Sequence, residues 1–149
     1  MSLRYVHTNI ITRDWKNLVK FYVETFDCIP VTPERNLSGH WLEEGTNVKD
    51  AHIIGMHLRL PGYGDDGPTL EIFQYDTIIE TIPSRANRQG FRHIAFRTDD
   101  VYAVMEKALM NGALKIGDVV EREIEGLGKL TFIYIADPDG NIIELQQWN

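Results

Sequence analysis

Four side chains of metal-holding type recur at matched places in this sequence. His7 lies in Val6-His7-Thr8-Asn9-Ile10, and His93, 86 residues later, lies in Arg92-His93-Ile94-Ala95-Phe96. Glu71 and Glu144 each stand four residues after a glycine (Gly67, Gly140) and four before an aromatic residue (Tyr75, Trp148). Glu71 is flanked by Leu70 and Ile72, and Glu144 by Ile143 and Leu145. A carboxylate in such an apolar strand is costly to bury without a partner. Two imidazoles and two carboxylates form a hard-to-borderline donor set for one divalent ion, Ni, Co, Zn, Mn or Fe. Four protein ligands on an octahedral ion leave two positions for water or a bidentate substrate, the arrangement needed to polarise a carbonyl. Taken singly, each histidine reads as a hydrogen-bonded strand residue and each glutamate as solvent-facing. Their matched recurrence is what favours a metal.

The elements that position these residues repeat as well. Eight residues after His7 begins Trp15, Leu18, Val19, Tyr22, Val23; eight after His93 begins Val101, Val104, Met105, Ala108, Leu109. Both sets have the i, i+3, i+4, i+7, i+8 spacing of an amphipathic helix. Thr12-Arg13-Asp14 and Thr98-Asp99-Asp100 supply capping oxygens at the two starts. Asn111-Gly112 stops the second helix, while Phe26-Asp27-Cys28 with Pro30 ends the first less cleanly. Strands are expected over 39–42, 52–60 and 69–75 in the first copy, and over 118–124, 130–135 and 141–148 in the second. Each copy therefore reads β-α-β-β-β. The first spans about 3–76 and the second about 90–149 of a single domain, with Pro83, Ser84, Asn87 and Gly90 interrupting the pattern at the junction. Gly62–Pro68 reads as a long hairpin loop and Ala136–Gly140 as its tighter counterpart.

Composition narrows the function. At 149 residues, 43% hydrophobic and 25% charged, the chain matches an ordinary globular domain rather than a disordered or fibrous one. A net charge of −7 argues against non-specific nucleic-acid binding, which needs a basic face. No apolar run approaches the roughly 20 residues that span a bilayer, so no membrane partner is expected. No charged-then-apolar leader opens the sequence, so a secretory signal is not expected. Cys28, the only cysteine, excludes an internal disulfide and reads as a small buried apolar residue. A reducing cytoplasm is the expected location.

Several segments carry a family resemblance: Tyr5-Val6-His7-Thr8-Asn9-Ile10, Lys20-Phe21-Tyr22, Gly90-Phe91-Arg92-His93-Ile94-Ala95-Phe96 with Asp99-Asp100-Val101, and Asp137-Pro138-Asp139-Gly140-Asn141-Ile142-Ile143-Glu144-Leu145. They resemble the vicinal oxygen chelate superfamily of glyoxalases, bleomycin-resistance proteins and extradiol dioxygenases. The resemblance implies an α+β fold of paired βαβββ modules, forming a curved mixed sheet around a metal cleft, and a homodimer. By matching positions it implies His7, Glu71, His93 and Glu144 as ligands. This ligand order is most like bacterial-type glyoxalase I (lactoylglutathione lyase), which isomerises a glutathione hemithioacetal. Methylmalonyl-CoA epimerases usually have glutamine at the position of Glu71. The second-sphere histidine of the dioxygenases would fall near Gly126, where there is none.

The implied activity is a metal-dependent lyase or isomerase acting on a small α-hydroxycarbonyl or hemithioacetal, possible glutathione adducts included, through an enediolate. Glu144 is the expected base and Glu71 a ligand that doubles as second acid or base. A non-catalytic binding or resistance protein, or a ring-cleavage dioxygenase, are the alternatives on the same fold. Arg59 and Arg97 sit in strands where either could hold a substrate carboxylate, the competing reading being a structural ion pair. His57 shares a strand face with Gly55 and Arg59 and is expected to line the pocket. His40 and His52 are further pocket candidates. Phe73 and Tyr75 alternate with Glu71 and are expected to flank the cavity. Trp41 reads as core or loop packing.

Overall fold

In the computed structural model, which describes residues 1–149, the repeat extends to individual hydrogen bonds. The first copy comprises β1 (His7–Ile11), α1 (Trp15–Phe26), β2 (Ile29–Ser38), α2 (His40–Thr46), β3 (His52–Arg59) and β4 (Thr69–Tyr75). The second comprises β5 (His93–Arg97), α3 (Val101–Met110), β6 (Leu114–Lys115), β7 (Val120–Ile124), β8 (Gly128–Ala136) and β9 (Ile142–Trp148). At the start of α1 the Asp14 carboxylate accepts from Asn17 N–H, and at the start of α3 the Asp100 carboxylate accepts from Ala103 N–H. The first helical N–H is met from the sheet: Trp15 donates to Gln74 Oε1 at 3.3 Å and Val101 to Gln147 Oε1 at 3.2 Å. Orphan amides at both helix starts are thus satisfied by matched residues of the last strand.

The chain divides into two compact units, Met1–Glu80 and Thr81–Asn149, and residues 77–92 carry no helix or strand. Each unit holds its own sheet, in the order β1-β4-β3-β2 and β5-β9-β8-β6, with β7 also on β8. The first and last strands of each unit pair in parallel and the remaining ladders are antiparallel. The architecture is mixed α+β, two sheets with few helices.

One face of each sheet is packed by its helix. In the first unit α1 lies on β3 and β4, burying Leu18, Phe21, Tyr22 and Phe26 on its side and Leu58, Leu70 and Ile72 on the strands. In the second, α3 lies on β8 and β9, with Val101, Ala108, Ile133, Ile135, Ile143 and Leu145 buried. Each fully buried aliphatic side chain stabilises by about 2 kcal/mol relative to exposure. The opposite face of each sheet carries the chemistry-bearing residues.

The expected strand at 39–42 is not one. Gly39 caps α2 and residues 40–42 are its first turn, while β2 occupies Ile29–Ser38. Pro30 and Pro33 obscure that strand in the sequence. They are tolerated because β2 is the sheet edge, where an absent N–H breaks no inner ladder. Leu42 of α2 packs with Ala51, Ile53 and Phe73 on the site face of the first sheet, with Leu37, Val48 and Tyr75 beside them. Gly55 makes room for this cluster. Its φ is +155°, and a Cβ there would lie 2.1 Å from the Ile72 carbonyl oxygen and 2.8 Å from the Phe73 ring.

Cys28, just past α1, is 2% exposed. Burial, with a smaller push from the Asp27 carboxylate, raises its thiol to about 12. The thiol therefore stays protonated, and unreactive, across the neutral range. Folded protein at pH 8 is expected to give no reaction with an aromatic disulfide reagent, and one full equivalent after unfolding in guanidinium. Prompt reaction of the folded protein would contradict the placement.

Candidate metal centre

In the first unit, cross-strand register gathers the site. Glu71 of β4 lies beside Asn9 of β1 and directly opposite His57 of β3, so all three share a sheet face. His7, one β-repeat before Asn9, is on the same face. Its Nε2 is 3.3 Å from Glu71 Oε1. Asn9 Nδ2 donates to the same oxygen at 3.2 Å. His57 Nε2 is 3.1 Å from the other oxygen, Oε2. The His57 ring also stands edge-on to His7 at 6.0 Å and to Phe73 at 5.5 Å between centroids. Burial lowers the pKa of His57, and the nearby Arg35 and His7 add to this against the opposing pull of Glu71.

The second unit repeats the pair and changes its surroundings. Glu144 of β9 lies beside Ala95 of β5 and opposite Tyr134 of β8. His93 Nε2 is 3.3 Å from Glu144 Oε2. Alanine thus occupies the place of Asn9, and tyrosine the place of His57. The Tyr134 ring lies 5.0 Å from that of His93, and burial, then the Glu144 carboxylate, raises its pKa. The two glutamates are equally sheltered, with side chains 14% and 16% exposed. They differ in partners: Glu71 has both oxygens engaged, whereas Glu144 is held through one.

These pairs fit a divalent ion. Two donors at about 2.1 Å from one ion and at right angles stand about 3 Å apart, close to the 3.3 Å found in each pair. Imidazole nitrogen with carboxylate oxygen suits Ni, Co, Zn, Mn or Fe. Neither unit gathers three or more histidine, cysteine or acidic side chains arranged to hold an ion.

The other sequence candidates have varied placements. Arg59 shares the site face but forms an ion pair with Asp65 from the Gly62–Pro68 loop, and its Nε is buried without a partner. Arg97, at the end of β5 opposite Gln146, lies on the Glu144 face and is exposed. Phe73 and Tyr75 belong to the apolar cluster under α2, with the Phe73 ring reaching His57. His52 is bound to Asp76 and Asn36 at 2.9 and 2.8 Å. His40 pairs with Glu44 one turn on, at 3.2 Å. Trp41 is 59% exposed rather than core, because α2 turns it outward while its indole N–H donates to the Ser38 carbonyl. Sequence reasoning missed Asn9 and Tyr134, and also Arg35, which stands opposite Gly55 on the site face and donates to the carbonyls of Val31 and Pro33.

Comparison with known proteins agrees with this architecture. A glyoxalase family protein from Bacillus cereus is similar in structure, with a TM-score of 0.84 at 20% identity over 99% of this chain and 95% of that one. A glyoxylase/bleomycin resistance protein/dioxygenase domain from Frankia gives 0.62 at 17% identity, covering 100% and 93%. The fosfomycin resistance protein FosX from Listeria monocytogenes gives 0.60 at 17% identity, covering 100% and 94%. No curated protein matches the chain. The family model described as Glyoxalase/Bleomycin resistance protein/Dioxygenase superfamily matches residues 4–145, and the chain belongs to that superfamily.

Proposed function

We propose that this protein is a metal-dependent lyase or isomerase of glyoxalase type. Its substrate is a small α-hydroxycarbonyl compound or hemithioacetal, a glutathione adduct being one candidate. The observation that carries this reading is the duplicated His–Glu pair, at matched strand positions and with the same 3.3 Å spacing in both units. Members of the superfamily typically bind a divalent metal. His7, Glu71, His93 and Glu144 would hold one ion, whether the pairs come from one chain or from two copies in a homodimer.

When bound, the ion would polarise two vicinal substrate oxygens and stabilise the charge of an enediolate, commonly the largest contribution to such a reaction. Glu144 takes the proton from the substrate carbon and returns it to the neighbouring carbon. Its second carboxylate oxygen has no side-chain partner, so it is available for that transfer. Arg97 would pair with a substrate carboxylate in preference to Arg59, which is already neutralised by Asp65. No helix is long and apolar enough to cross a membrane, and a cytoplasmic location remains part of this proposal.

The test is metal analysis of protein purified without chelator, followed by a hemithioacetal isomerisation assay. Stoichiometric metal with turnover supports the proposal. Tight ligand binding without turnover under any divalent ion favours a binding or resistance protein. Substrate-dependent oxygen uptake with Fe(II) favours a dioxygenase.

A further inference from the structure

The two glutamates are matched by the repeat but not by their surroundings. Glu71 Oε1 faces His7 and Asn9, while Oε2 faces His57 at 3.1 Å. The Thr69 hydroxyl lies 3.4 Å from His57 Nδ1, so it can donate there and leave the ring proton on Nε2, the nitrogen that stands 3.1 Å from Glu71 Oε2. The Phe73 ring stands edge-on to the imidazole at 5.5 Å between centroids. Glu144 has only His93, and in the place of His57 stands Tyr134, which forms no hydrogen bond with it.

We infer that His57 is a positioning residue that clamps Glu71 through Oε2, making Glu71 the fixed ligand and leaving Glu144 the movable carboxylate. The inference rests on the proposed metal site and deepens it. A ligand carboxylate whose other oxygen is kept in place by a neighbouring imidazole is ordered before an ion arrives, which strengthens binding. A carboxylate held at one oxygen can rotate away to take a proton. The duplication thus supplies two equivalent carboxylates, and the exchange of histidine for tyrosine between the units assigns them different work.

The test uses Co(II) titration of the full chain, read by affinity and by the visible absorption spectrum of the bound ion. His57→Leu, confirmed as folded by circular dichroism, is expected to bind Co(II) about 10- to 100-fold more weakly with an altered spectrum. His57→Gln, whose amide N–H can occupy the place of Nε2, is expected to recover most of that loss. Tyr134→His places a clamp on Glu144 and is expected to lower kcat about 10-fold while Co(II) affinity is kept or raised. If His57→Leu binds Co(II) with wild-type affinity and spectrum, or if His57→Gln fares no better than His57→Leu, the clamp is overturned. If the wild-type protein itself takes up no Co(II), the metal reading fails and the inference falls with it.

Discussion

Glu144→Gln is expected to lose about 10²- to 10⁴-fold in kcat while the protein stays folded, the range a positioned general base contributes. Glutamine keeps a carbonyl oxygen that can face His93 and an ion, and has nearly the same volume. What it loses is the capacity to accept a proton from carbon. The side chain is 16% exposed and is held only through His93, so the substitution disturbs no wider hydrogen-bond network. Steady-state kinetics on a hemithioacetal, together with metal content and circular dichroism, separate the outcomes. A large fall in kcat with KM and metal content little changed assigns the base. Wild-type turnover in this variant would remove Glu144 from the reaction. Loss of metal together with activity would make it chiefly a ligand.

The role of Glu71 is expected to differ. Glu71→Gln also keeps an oxygen, but replaces a carboxylate that accepts from Asn9 and stands within 3.3 Å of the His7 and His57 ring nitrogens. Its amide nitrogen would have to face one of those nitrogens. The same substitution in two repeat-related residues is therefore expected to act on different steps, metal retention for Glu71 and proton transfer for Glu144.

Much of the fold, and the two His–Glu proximities, were legible in the sequence because duplication provides an internal comparison. His7 and His93, Glu71 and Glu144, Asp14 and Asp100 are each recognisable because the other copy has the same residue at the same distance from a helix or a glycine. His57 lacked that support, since its counterpart is Tyr134. The available signal was register. A hairpin folded symmetrically about Gly64 sets residue 57 against residue 71, which is the pairing found. Asn9 was hidden for the same reason, its counterpart being Ala95. The strand at 29–38 was hidden by two prolines that only an edge position tolerates, and α2, seven residues long, is too short to impose a helical period. Arg59 could be placed on a strand face from alternation alone. Its capture by Asp65 depends on the single 3-10 turn at Gly64–Asp66, which no strand pattern encodes.

His7→Ala and His93→Ala are each expected to remove nearly all bound metal, not half of it. The proposed site uses two pairs for one ion, so the wild-type protein should hold one ion per chain. Removing an imidazole from a four-ligand set leaves three protein donors and opens a further position to water, and the loss falls on the single ion whichever unit is altered. The double variant should then be no worse than either single one, the non-additivity expected of residues serving one shared partner. Were each pair to hold its own ion, wild-type protein would carry two per chain, each single variant would keep one, and the effects would add. Elemental analysis after equilibrium dialysis distinguishes these patterns. Thermal melting supplies an independent reading. An ion present at about 1,000 times its Kd stabilises the folded form by about 4 kcal/mol, which for a chain of this size raises Tm by about 8–16 °C. That rise should vanish in either single variant, because the ion that causes it is lost, and comparing each variant with and without metal removes the effect of truncating His7 or His93 on its own. A chelator-sensitive Tm in wild type that persists in His93→Ala would place the ion on the first unit alone and exclude the shared site.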